Sequence, residues 1–188
     1  MSKDFEVVIK NRENISEFEV DSIVNIIRKN EDEFEPALST RYEVEEGGLD
    51  AATQYFLSKI KEETHFFITY LNDVVVAFMI VNELFSSFFN KRIGEINTTC
   101  VHPKYRKFGL GTMLYYFADE NVPKIFNVDL VSRNTWSTHY KQIIRYEKFG
   151  YKEYYREPKP NMINVDAVFF YKEFCQNSNL VRISQECS

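Results

Sequence analysis

Two glycines separated by one residue, Gly109 and Gly111, follow a basic cluster of Lys104, Arg106 and Lys107 in this chain of 188 residues. Glycine lets a backbone come close to an anion, and the first amides of a helix point outward along the positive end of its dipole. An apolar strand end at Ile96 and Val101 precedes the cluster, Pro103 marks a turn, and Met113, Leu114 and Phe117 recur afterwards at helical spacing. Strand, basic glycine loop and helix start together make a cradle for phosphate. No Gly-Lys-Ser/Thr follows, so this is not the P-loop of nucleotide triphosphatases. A third glycine is missing, so it is not the dinucleotide fingerprint either.

Acid–base chemistry needs a titratable group beside such a cradle, and Glu95 is the candidate on the strand leading into it. The two-residue period of a strand predicts that residues 95, 97, 99 and 101 share one face, so that Glu95 points with Val101. A carboxylate there with a raised pKa could accept a proton, directly or through water. Cys100 is expected to pack rather than react. The histidines His65, His102 and His139 and the cysteines Cys100, Cys175 and Cys187 show no metal-ligand spacing, and no metal is expected.

The elements that must hold these residues read as one α/β unit without repeats. Phe5–Ile9 alternates as a strand, and 15–28 carries Phe18, Val20, Ile23, Ile26 and Ile27 as an amphipathic helix. An acidic, irregular segment runs to Pro36, and 49–60 reads as a second helix. Strands at 65–70 and 74–81 are joined by Leu71-Asn72-Asp73 as a hairpin turn. A connection at 86–91 leads to a strand at 93–101. The cradle helix spans 109–121 and is broken at Pro123. The apolar run 125–131 is expected as a buried strand, 137–149 as the last helix with Gly150 as its cap, and 151–156 and 167–174 as final strands.

Composition fits a single enzyme-sized domain. Hydrophobic residues make up 44% and charged residues 27%, which argues against extensive disorder. The 17 Phe and 12 Tyr suit a thick aromatic core or a ring-lined cleft. A net charge of −5 argues against sequence-independent nucleic-acid binding. No apolar leader or membrane-length run is present, and unpaired cysteines suit a reducing compartment, so a cytoplasmic location is expected.

Arg106-Lys107-Phe108-Gly109-Leu110-Gly111, with its Val101-x-Pro103-x-Tyr105 lead-in, resembles the pyrophosphate loop of the GCN5-related N-acetyltransferases, the GNAT superfamily. The resemblance extends over roughly residues 4 to 174. It implies an α/β (α+β mixed-sheet) fold, a central mixed sheet of about seven strands flanked by four helices. The domain would span 1–175, followed by a polar tail at 176–188. It further implies acetyl-CoA as cofactor and transfer of its acetyl group to a primary amine by direct attack on the thioester. Arg106, Lys107, Phe108, Gly109, Leu110, Gly111 and Thr112 would hold the pyrophosphate, and Thr99 and Val101 the pantetheine arm. Glu95 would be the base. Tyr146, in Tyr146-Glu147-Lys148-Phe149-Gly150-Tyr151, would be the acid that protonates the leaving thiolate.

The chain departs from the family where an asparagine often meets the pantetheine arm. His139 stands at that spacing before Tyr146, and Asn134 lies further back, so Asn134 would serve from a loop or from an extended helix start. The acceptor is expected to be a small-molecule or peptide amine. Neither nucleic acid nor a membrane is expected as partner, and a homodimer is allowed. Glu31, Asp32, Glu33, Glu35, Glu43, Glu45 and Glu46, against Arg41 alone, lean toward a cationic acceptor. Two other readings fit the same residues: a non-catalytic acyl-CoA-binding or regulatory domain, and a partner-binding α/β domain with Phe85, Phe88 and Phe89 as its patch.

Overall fold

Seven strands pair into one mixed sheet in the order β1-β2-β3-β4-β5-β7-β6. The computed structural model describes residues 4–42, 48–158 and 165–175. The tail at 176–188 with Cys187, and Glu43, Glu45 and Glu46, lie outside the described residues. The strands are β1 (Phe5–Asn11), β2 (His65–Leu71), β3 (Val74–Ser86), β4 (Lys91–Val101), β5 (Leu130–Trp136), β6 (Lys152–Pro158) and β7 (Asp166–Glu173). The helices are α1 (Glu17–Lys29), α2 (Leu38–Arg41), α3 (Ala51–Lys59), α4 (Leu110–Ile125) and α5 (Tyr140–Lys148). Every neighbouring pair of strands is antiparallel except β4 with β5.

Alternation along the strands splits the apolar residues into two layers. Met79, Val81, Ile96 and Phe170 face α4 and α5, where they meet Leu114, Ala118, Val122 and Tyr146. Phe66, Ile68, Phe78 and Ile80 face the other way, onto Ile23, Ile27 and Phe56 of α1 and α3. Each such fully buried side chain contributes roughly 1.5–3 kcal/mol relative to exposure. No helix among the described residues is long and apolar enough to cross a membrane.

Local chemistry sets the ends of these elements. Ser16 and Glu19 close a capping box on α1, with the Ser16 amide donating to Glu19 at 2.6 Å and the Glu19 amide to Ser16 Oγ at 3.3 Å. Asn72 and Asp73 both have positive φ, the geometry that a two-residue hairpin demands. At the end of α5 the Tyr151 amide reaches the Tyr146 carbonyl at 3.0 Å and the Gly150 amide the Glu147 carbonyl at 2.9 Å. Gly150 itself is at φ +82°. That pairing is a Schellman cap, as the Phe149-Gly150 sequence predicts.

Three sequence expectations are corrected. Pro123 lies inside α4 rather than ending it. It forfeits only one late hydrogen bond, while Val122 is fully buried and packed on the strand next to it. The apolar run at 125–131 is therefore the helix end, a turn at Asn127 and only the start of β5, which begins at Leu130. The acidic segment up to Pro36 is not wholly irregular, since Glu31–Glu33 forms a 3-10 turn, and beyond it Leu38–Arg41 adds one helical turn.

Candidate active site

β4 carries one residue too many for its partner. Thr98 pairs with Ile80 and Ile96 with the next residue, Val81, so Asn97 is a β-bulge. A bulge bends the strand and resets its alternation. Ile96 before it and Val101 after it both pack in the α4 layer, whereas Cys100 packs in the α1–α3 layer. Glu95 pairs with Asn82 and lies with Thr98 and Cys100 on the α1–α3 face, opposite Val101. The expected sharing of a face by residues 95, 97, 99 and 101 is thus wrong, because the two-residue period holds only in an unbroken ladder.

The bulge sits where β4 parts from β5. Their ladder joins only Gly94–Ile96 to Val131–Arg133, although β4 continues to Val101 and β5 to Trp136. Beyond those pairs the strands diverge into a V, and the amides and carbonyls on its facing edges are left for another partner. Gly94 sets the depth of the V's closed end. A Cβ there would lie 2.4 Å from Val122 Cγ1, so only glycine lets α4 pack this closely on β4.

The phosphate cradle follows at the end of β4. Lys107 at φ +69° and Gly109 at φ +78° curl the chain so that α4 starts at Leu110. No side chain caps this helix, and the Met113 amide is the first to bond inside it, to the Gly109 carbonyl at 2.9 Å. The amides of Leu110, Gly111 and Thr112 therefore point out of the first turn. A Cβ at Gly111 would meet nothing nearer than Arg145 Nη1 at 3.8 Å, so the fold does not require glycine there. A glycine that packing does not need, at a bare helix start, is what close approach of an anion requires.

Charge at the cradle is positive. The His102 imidazole is held below its ordinary pKa by burial and by Lys29, Lys104 and Arg106. Its Nε2 lies 3.0 Å from Lys29 Nζ, and its Nδ1 accepts from the Lys104 amide at 3.2 Å, which fixes it in the lead-in turn. The Arg106 guanidinium is bonded to Asn30 Oδ1 and ion-paired with Glu33. Sequence reading missed this tie, since no spacing links residues 30 and 33 to 106.

The proton-transfer candidates stand on opposite sides of the V. Glu95 Oε2 accepts from Asn82 Nδ2 at 3.2 Å and from Asn97 Nδ2 at 3.3 Å, and Asn97 Nδ2 also reaches Asn82 Oδ1 at 3.2 Å. Its charge is felt by Lys59 and by Tyr154, which stacks on Phe88 and Phe89 with centroids 4.8 Å away. Tyr146 is buried in the α4–α5 layer, and its hydroxyl donates to the Asn134 carbonyl at 3.2 Å, just past the last β4–β5 pair. Burial pushes that phenol well above its ordinary pKa, and the Tyr115 ring beside it adds to the shift. Beneath it Arg133, fully buried and paired with Asp119 at 3.1 Å, lies 4.2 Å from the Tyr115 ring centroid and 4.4 Å from that of Tyr151.

Asn134 stands exposed within β5, so neither a loop nor an extended helix start carries it. His139 precedes the first turn of α5 without a capping bond from its side chain, which is held by Glu35 at 3.2 Å and Thr135 at 3.3 Å. Cys100 packs as expected, its thiol pushed up to about 12 by burial. The Thr98 and Tyr55 hydroxyls are hydrogen-bonded to each other at 2.9 Å.

Residues 62–153 match the family model described as an acetyltransferase (GNAT) domain, a stretch that contains the bulge, the V, the cradle and Tyr146. The chain belongs to the GNAT superfamily. Solved structures of the same fold include the ribosomal-protein-S18-alanine N-acetyltransferase of Escherichia coli. It is 16% identical, with a TM-score of 0.65 over 93% of this chain and 99% of that one. An acetyltransferase of Bacillus subtilis in complex with CoA is 14% identical, with a TM-score of 0.62 over 92% and 100% of the two chains. A protein of Pyrococcus horikoshii OT3 is 18% identical, with a TM-score of 0.65 over 91% and 100%. No curated protein matches the chain. GNAT membership places its chemistry in acyl transfer.

Proposed function

We propose that this GNAT chain is an acetyl-CoA-dependent N-acetyltransferase acting on a primary amine. The observation that carries the reading is that the V and the bare start of α4 are joined directly by the short connection 102–109, with Glu95 on one side of the V and Tyr146 on the other. The names of the structural relatives, one an alanine N-acetyltransferase and one holding CoA, support it.

Bound acetyl-CoA supplies an activated acetyl thioester. The amides of Phe108 to Thr112 and the cations Arg106 and Lys107 would hold its diphosphate, and the open edge of β4 at Thr98 to Val101 would pair with the pantetheine amides. One amide of that edge would be the donor available to polarise the thioester carbonyl. Glu95 removes a proton from the incoming ammonium, directly or across one water, and its two asparagine partners fix the carboxylate for this. Tyr146 donates its proton toward the departing sulfur. Its high pKa keeps the proton in place until negative charge develops there.

Cys100 plays no nucleophilic part, because its thiol is buried and protonated. Amine acetylation is read by release of free CoA thiol that depends on added amine, with the acetylated amine identified by mass. Hydrolysis of acetyl-CoA at the same rate with and without amines, across a broad panel, would contradict the proposal.

A further inference from the structure

Of the four described acidic residues in the segment that leans toward a cationic acceptor, three are committed elsewhere. Glu33 pairs with Arg106, Glu31 accepts the Ser39 amide at 2.9 Å, and Glu35 holds His139 at 3.2 Å and also accepts the Thr138 hydroxyl. These contacts stretch 31–39 from the cradle to the start of α5. At the end of that strap, on α2, is Arg41. Its Nε and Nη2 are buried and have no hydrogen-bond partner among the described residues.

Those two nitrogens are the side-on fork of a guanidinium, the edge that takes a carboxylate in bidentate fashion. The protein uses the same edge elsewhere: Arg156 grips Glu153 through Nε at 2.6 Å and Nη2 at 2.9 Å. Arg28 likewise holds Asp50 through Nε and Nη2. Arg133 also leaves nitrogens without acceptors, but ring faces at 4.2 and 4.4 Å stand in for them. Among the described residues Arg41 has only the Trp136 ring, at 5.9 Å. A buried donor without an acceptor is costly, and a site built to bind a polar group is one place where that cost is retained.

The placement fits an acceptor subsite. Trp136 ends β5 on the far side of the V. Tyr42, next to Arg41 in the chain, meets the Tyr55 ring at 6.4 Å, Lys59 stands over that ring at 5.3 Å, and the Tyr55 and Thr98 hydroxyls are bonded at 2.9 Å, so the chain of contacts from Arg41 ends on the α1–α3 face of β4, which Thr98 shares with Glu95. We propose that Arg41 binds a carboxylate on the acceptor, so that the substrate is an amine of the amino-acid class, its ammonium directed to Glu95 and its carboxylate to the Arg41 fork. This rests on the acetyl-transfer reading and reverses the lean toward a cationic acceptor.

The test uses the common amino acids and their carboxamides as matched probes, on the wild-type protein and on Arg41→Gln and Arg41→Lys. Trp136, the single tryptophan, lies beside Arg41 and reports occupancy by its fluorescence. Acetyl transfer is read separately by thiol release. The Arg41 fork has no acceptor to lose among the described residues, so Arg41→Gln is expected to fold with unchanged acetyl-CoA affinity. At least one amino acid should saturate the fluorescence change and be acetylated with a kcat/KM about tenfold or more above its carboxamide, the scale of a charged hydrogen-bond pair. Arg41→Gln should erase that difference mainly through KM, and Arg41→Lys should restore part of it. Carboxylate-dependent fluorescence lost in Arg41→Gln, without any acetyl transfer, would keep the anion site and overturn the transferase reading. Acetyl transfer that ignores the carboxylate, or a preference that survives Arg41→Gln, would overturn the anion site and keep the transferase.

Discussion

Glu95 and Val101, six residues apart on β4, face opposite sides of the sheet. The bulge at Asn97 makes this so. It puts the carboxylate on the α1–α3 face while the strand beyond turns Val101 toward α4. One strand can then serve an acceptor from one side and keep its open edge for the pantetheine arm.

Glu95→Gln should lower kcat/KM by about 10²-fold or more, as expected for loss of a general base, and remove the acidic limb of the pH–rate profile. Stability should change little, because an amide can still pair with Asn82 and Asn97. A variant with wild-type rate and pH dependence would assign the proton to bulk water.

Tyr146→Phe should lower kcat about tenfold or more with little change in acetyl-CoA affinity. It also gives up the hydroxyl bond to the Asn134 carbonyl, worth about 1 kcal/mol of stability. Because burial raises this phenol's pKa, no basic limb of the wild-type profile should come from it. Unchanged kcat in a folded Tyr146→Phe protein would leave the ring as core packing only.

His102 offers a spectroscopic report on the cradle. Burial and three neighbouring cations hold its pKa down. A diphosphate bound among those cations offsets their charge and favours the imidazolium, so the pKa should rise on adding CoA. NMR titration of the ring protons with and without CoA measures this directly, and no shift would place the diphosphate elsewhere.

Much of the fold was legible in the sequence because its signals are local. The Asn72-Asp73 turn, the Gly150 cap and the glycine cradle each depend on a few adjacent residues. The bulge was not legible, since one extra residue in β4 shows only against its partner β3, and it reversed the face assigned to Glu95. Pro123 misled because a proline near a helix end is cheap when Val122 anchors the turn. Arg41, Asn82 and Lys59 were overlooked for the same reason as the Arg106–Glu33 pair: their roles come from contacts between elements far apart in the chain.

Acid stability should expose one more such contact. Burial alone would raise the Glu19 carboxyl, but bonds from the Ser16 amide, the Tyr70 phenol, the Ser16 hydroxyl and Lys10 pull it down to about 2. A carboxyl depressed in the folded state stabilises above its unfolded pKa near 4.5, and that contribution is lost as pH falls toward 2. Glu19→Gln should therefore cost roughly 2 kcal/mol at neutral pH and flatten the loss of stability below pH 4.5. Denaturant unfolding across that range measures both, and an unchanged acid profile would count against the paired carboxylate.

Gly94 and Gly111 separate packing from binding. Gly94→Ala forces a methyl into Val122 and should cost about 1–3 kcal/mol of stability. Gly111→Val has room beside Arg145 and should fold normally. Calorimetric titration of acetyl-CoA into wild type and Gly111→Val is the most direct test of the account. Saturable binding by the wild type, lost or weakened at least about tenfold in the folded variant, is the predicted result. Absence of acetyl-CoA binding to the wild type, or equal affinity in the two proteins, would contradict it.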